Sequence, residues 1–179
     1  CQPLRIFPNP SLCLTRNVTD VIWMTGVELE GLLRLGVLGD LGELFFIQGN
    51  ATIQDSETVA GSRADAPTNQ VRAAAGASDF LVNLMLGFDS NDGAHTASLI
   101  YNVFGERLYK AGRLGAPDEF EEPFHSLDLT YSWFPTERFS VKVKAQNLLD
   151  ETTNISASGV TVYERSPGSS ISLKVKYQL

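Results

Sequence analysis

The sequence predicts an all-β fold, an antiparallel transmembrane β-barrel segment of about seven strands that is part of a larger barrel. Three observations point there. Several segments alternate apolar and polar residues with a period of two, the connections between them are in turn short and long, and aromatic residues collect near segment ends on the apolar side.

The alternation is clearest near the C-terminus. In Phe139-Ser-Val-Lys-Val-Lys-Ala-Gln146, the residues Phe139, Val141, Val143 and Ala145 fall on one face, opposite Ser140, Lys142, Lys144 and Gln146. The closing segment repeats this, with Ile171, Leu173, Val175, Tyr177 and Leu179 against Ser172, Lys174, Lys176 and Gln178. Ser126 to Trp133 divides in the same way and sets Asp128 on the polar side.

Taken in order, the first strand covers Val27 to Leu35 and extends upstream through Val18 to Met24, with Glu28, Glu30 and Arg34 on its polar face. A glycine-rich turn, Gly36 to Gly42, leads to a second strand from Leu44 to Gln54. A long polar stretch from Asp55 to about Ala77 separates it from the third, Phe80 to Phe88. The turn Asp89-Ser-Asn-Asp-Gly93 returns the chain into Thr96 to Phe104. A long connection from Gly105 to about Pro123 carries the acidic residues Asp118, Glu119, Glu121 and Glu122. Ser126 to Trp133, the turn Phe134 to Arg138, Phe139 to Leu148, a loop to about Gly168, and a terminal strand complete the series.

Short connections thus follow the odd strands and long ones the even strands. In antiparallel neighbours this puts every long loop at one end, as in outer-membrane barrels with short periplasmic turns and long extracellular loops. Asp65 and Asp118 are expected at that outer end and Asn91 at the opposite one. Tyr101, Tyr131, Trp133, Phe139 and Tyr177 sit where an interfacial girdle would place them. A soluble barrel or sandwich would show the same alternation with inside and outside exchanged. The loop asymmetry and the lysines Lys142, Lys144, Lys174 and Lys176 on adjacent strands favour a polar lumen, lined also by Glu28, Glu30, Arg34 and Asp128.

Composition narrows the function classes. A net charge of -7 and a pI near 4.8 argue against nucleic-acid binding, which needs clustered Lys and Arg. No apolar run is long enough for a membrane helix, a test that transmembrane strands escape because only alternate side chains meet lipid. Cys1 and Cys13 lie in the Pro-containing opening segment, residues 1–16, which reads as irregular; a disulfide between them is open in an oxidising compartment. An ordinary loop thiol is the simpler reading of Cys1 than a lipid-bearing first residue.

Enzyme chemistry finds little footing. His95 adjoins a short turn and His125 begins a strand, so they fall towards different sides of a span and share no metal site. No nucleophile elbow or phosphate-cradling lysine loop occurs, and no catalytic residue, cofactor or metal is expected. Glu28 and Glu30 face the same way and are expected to meet Lys or Arg on neighbouring strands or an inserted domain. The acidic run Asp118 to Glu122 is a candidate ligand loop for a cationic or metal-chelated solute.

Five segments in order resemble a known family. Gly26-Val-Glu-Leu-Glu30, Leu99-Ile-Tyr-Asn-Val-Phe-Gly105, His125-Ser-Leu-Asp-Leu-Thr-Tyr131, Ala145-Gln-Asn-Leu-Leu-Asp150 and Ser166-Pro-Gly-Ser-Ser170, followed by a terminal strand, look like the C-terminal barrel region of TonB-dependent outer-membrane receptors, over about residues 17–179. The resemblance implies a transporter that imports a scarce solute such as a ferric siderophore, vitamin or carbohydrate. Its implied partners are outer-membrane lipid, the remaining barrel and plug, the barrel-insertion machinery reading the C-terminal strand, and TonB acting through the plug. The family usually ends in Phe or Trp where this chain has Leu179, and about seven strands correspond to the last third of a barrel of about 22 strands. A small self-standing outer-membrane barrel with a structural or adhesion role, and a soluble β-sandwich binding module, are the alternatives.

Overall fold

Each alternating segment has one apolar face and a row of backbone groups to satisfy, and the chain meets both demands by running as a meander. In a computed structural model, residues 2–5, 11–14, 19–60 and 66–178 are described, with side chains from Trp23 onward. The strands are β1 Gln2–Arg5, β2 Ser11–Leu14, β3 Thr19–Arg34, β4 Phe45–Ala60, β5 Val71–Arg72, β6 Phe80–Asp89 and β7 His95–Phe104. They continue with β8 Arg107–Lys110, β9 Glu119–Glu121, β10 Phe124–Thr136, β11 Phe139–Gln146, β12 Thr153–Ala157, β13 Val160–Arg165 and β14 Ser170–Tyr177. Among the described residues helix is confined to two short 3-10 turns, Leu35–Leu38 and Gly42–Leu44.

The main sheet has the order β14-β11-β10-β7-β6-β4-β3, with β5 paired to β4. Every neighbouring pair along that path is antiparallel. These are the expected long strands in the expected sequence, with β4 running further than anticipated, to Ala60. The sheet is open among the described residues. β3 and β14 are its two edges, and because they stand first and seventh along an antiparallel path they run parallel to each other.

The short connections are tight. Between β6 and β7 the Asp92 carboxylate accepts from the Ser90 hydroxyl at 2.5 Å and from the Ala94 amide at 2.9 Å, while Gly93 takes a φ of 68°. The Ser90 hydroxyl, and then the Ala94 amide, hold Asp92 below the ordinary aspartate pKa, since both bonds favour the ionised form.

The long connections differ from expectation. Where polar loops were read, β8, β9, β12 and β13 form a second antiparallel sheet in the order β13-β12-β9-β8. The stretch after β4 is fastened to it: Pro67 bridges Arg113, Ser78 bridges Arg107, and Gly76 donates to the Leu108 carbonyl at 2.9 Å. Short strands of three to six residues with few alternations leave little periodic signal, which explains why they were not legible. At the N-terminus, the segment read as irregular carries the β1–β2 pairing, from Gln2 opposite Leu14 to Arg5 opposite Ser11. The side chains of Cys1 and Cys13, and the residues Asp65 and Leu179, lie outside the described residues.

Among the described residues the buried apolar side chains are Leu108 and Ile155 in the second sheet and the smaller Ala60, Val103 and Ala145 in the main sheet. The large apolar side chains of the main sheet are mostly exposed.

Candidate functional site

Directly opposite residues in a sheet share a face, so the registers sort every side chain of the main sheet onto one of two surfaces. The first is apolar across the whole width. One row runs Leu33–Ile47–Leu86–Leu99–Leu129–Ala145–Ile171. The next runs Phe45–Phe88–Ala97–Tyr131–Val143–Leu173. Many of these residues meet solvent, Ile171 at 79% and Leu173 at 67% exposed, while Ile47, Phe88 and Val143 are half-buried and Ala145 is buried. Burying an exposed Leu or Ile is worth about 1.5–3 kcal/mol, so a face of this extent is a surface built for an apolar neighbour.

Aromatic residues mark the short-turn end of that face. Phe45 and Phe88 lie 5.1 Å apart between ring centroids, and Phe139 stands opposite Tyr177. The His95 ring stacks near Trp133, and its Nδ1 shares a hydrogen bond of 2.7 Å with the Tyr131 hydroxyl. Towards the long-loop end, His125 Nδ1 and the Tyr101 hydroxyl are 2.6 Å apart. Each histidine thus pairs with a tyrosine of the neighbouring strand, at opposite ends of β7 and β10. This role was invisible in sequence because it depends on register.

The second surface carries all the charged wall candidates. Glu28, Glu30 and Arg34 on β3, Asp128 on β10, Lys142 and Lys144 on β11, and Lys174 and Lys176 on β14 share it. Their surroundings differ from one another. Asp128 is engaged within the protein: its carboxylate accepts from the Asn147 amide at 3.0 Å and lies 4.0 Å from Lys144 Nζ. Glu28 and Glu30 stand opposite the neutral Thr52 and Asn50, and make no ion pair among the described residues, where contacts with Lys or Arg were expected. Lys142 directly faces Lys174, and Lys176 faces Ser140. The surface therefore carries two glutamates and Arg34 at its β3 edge, uncharged residues on β4 and β7, Asp128 on β10 and lysines on β11 and β14.

The four loop acids fall in the second sheet and its margin, and three of them are used internally. Asp118, 6% exposed, accepts from Asn69 Nδ2 at 2.8 Å and from the Gly112 amide at 2.6 Å. Glu121 pairs with Arg107 at 2.6 Å and Glu119 with Lys110 at 2.8 Å. Glu122 alone of the four makes neither a side-chain hydrogen bond nor an ion pair among the described residues. Asp118, Glu119 and Glu121 thus brace the structure of the long connections.

Across the neutral middle runs a row of carboxamides that sequence reading passed over. Glu30 faces Asn50, Asn50 faces Asn83 and Asn83 faces Asn102. Asn83 Nδ2 donates to Asn50 Oδ1 at 2.6 Å, and Asn102 Nδ2 to Ser126 Oγ at 3.3 Å. A groove of about 350 Å³ lies along this row. Among the described residues no three His, Cys, Asp or Glu side chains gather as a metal site, and no helix is long and apolar enough to cross a membrane. Set against protein-family models, curated proteins and solved structures, the chain finds no match.

Proposed function

We propose that this chain is part of an outer-membrane β-barrel of the TonB-dependent receptor kind, serving the import of a scarce solute. The observation that carries the reading is the exposed apolar face running unbroken across the main sheet, opposite a charged and carboxamide-bearing face. On β7, ten residues separate Gly105, level with Phe80, from His95 at the aromatic end. At about 3.4 Å per residue and a tilt of about 45°, that span is about 24 Å high, against about 25 Å for the apolar band of an outer-membrane barrel.

Two further features support it. The long connections lie at one end and are organised among themselves, as suits loops that meet solutes outside the cell. The parallel sense of β3 and β14 means that an all-antiparallel barrel needs an odd number of further strands between them, which fits a segment of a larger wall. In this reading the rest of the wall, a plug and TonB are the partners, and import is driven through the plug. Cell fractionation tests it: the protein belongs in the outer-membrane fraction, and recovery in the soluble fraction would contradict the reading.

A further inference from the structure

The groove on the polar face has two unlike walls. On one side stand Glu30, Asn50 and Asn83; on the other stand Leu32, Met85 and Ile100, with the Gln48 carboxamide between Leu32 and Met85. Residues of the intervening row point to the opposite face, so Gly31 and Gly49 contribute only main chain to the floor. One wall offers hydrogen-bond donors and acceptors within a strand spacing of about 4.8 Å, and the other offers apolar surface from Leu32, Met85 and Ile100 around the one carboxamide of Gln48.

The chemistry of the lining selects among ligands. No lysine, arginine or histidine lines the groove, so an anion such as a phosphate has nothing to neutralise it. The Met85 thioether is the one soft donor in the lining and Glu30 its one carboxylate, too few for a metal site. The Asn50–Asn83 bond fixes both amides yet leaves the Asn50 amide N–H groups and the Asn83 carbonyl free to turn outward. Such a paired carboxamide set, with one carboxylate acceptor, matches a ligand bearing many hydroxyls, and the aliphatic wall matches the C–H face of a sugar ring. The volume of about 350 Å³ lies at the small end of ligand sites.

We infer that this groove binds a neutral saccharide, held by Asn50, Asn83 and Glu30 and packed against Leu32, Met85 and Ile100. The inference rests on the proposed membrane reading, in which this face is the watered one. Asn50 and Asn83 supply orientation by donating to and accepting from adjacent hydroxyls. Glu30 accepts from a third hydroxyl, a task that glutamine also performs.

The test uses the full chain in a sugar-free alkylphosphocholine detergent, with maltohexaose, xylohexaose and chitohexaose as neutral probes and spermidine and pyrophosphate as charged ones, by calorimetry. At least one hexasaccharide should bind. The N50A/N83A double variant should weaken it about tenfold, the loss of about two net hydrogen bonds, and K176Q, on the same face but outside the groove, should stay within about twofold. Binding of no hexasaccharide, equal binding by N50A/N83A, or spermidine binding abolished by E30Q would each overturn the proposal. Quenching of Trp23 and Trp133 by brominated lipid in the same samples reports the apolar face separately, so a failed groove and a failed membrane reading give different results.

Discussion

Asp118 accepts a hydrogen bond from Asn69 at 2.8 Å across 49 residues of sequence, and so ties two long connections together. The same carboxylate satisfies the buried amide of Gly112. Asp118→Ala removes both bonds and leaves that amide unpaired, at a cost of about 1–3 kcal/mol. The second sheet should loosen while the main sheet keeps its pairing. Hydrogen exchange should speed up around Gly112, Thr68 and Leu108 with little change in β6 and β7; uniform acceleration would contradict this division.

Leu173 and Lys142 lie on adjacent strands and opposite faces. In the membrane reading, Leu173→Arg puts a guanidinium into hydrocarbon and should cost about 2–4 kcal/mol near the midplane. Lys142→Gln should be neutral or slightly stabilising, because it relieves the like-charge opposition to Lys174. A bilayer-refolding titration of the complete barrel compares them. Equal tolerance of both substitutions would count against the assignment of faces.

Leu114 is 87% exposed at the long-loop end, whereas Asn91 sits in the turn between β6 and β7. With Cys1 and Cys13 replaced by Ser, Leu114→Cys should react with a membrane-impermeant maleimide on intact cells carrying the complete barrel. Asn91→Cys should react only after the outer membrane is permeabilised. The reverse pattern would invert the orientation. Asp118 is a poor labelling site because it is buried.

Where an element alternated over eight residues or more, the sequence alone located it: β6, β7, β11 and β14 begin within a residue of expectation, and the face carrying Lys142, Lys144, Lys174 and Lys176 follows from the two-residue period. The second sheet escaped because three residues such as Glu119–Glu121 cannot establish a period. Asn147 ends β11 with a φ of 51°, its side chain accepting from the Glu151 amide and donating to the Glu151 and Gly168 carbonyls, a local bonding habit common to asparagine at strand exits. The pairing of Glu30 with Asn50, and of Lys142 with Lys174, depends on register between strands, which a single chain's pattern does not specify. Hence the two-residue period places the charged residues on one face, while Thr52 and Asn50 as the β4 neighbours of Glu28 and Glu30 follow only from register.

The central claim is that the apolar face meets lipid, and both tryptophans of the chain, Trp23 and Trp133, lie on that face. Each is about two-fifths exposed, at 40% and 41%. The direct measurement is tryptophan fluorescence of the full chain in mixed micelles of alkylphosphocholine and phosphatidylcholine brominated on its acyl chains, compared with quenching by aqueous iodide. The account predicts strong quenching by the brominated chains and weak quenching by iodide. Emission indifferent to the brominated lipid and readily quenched by iodide would contradict it.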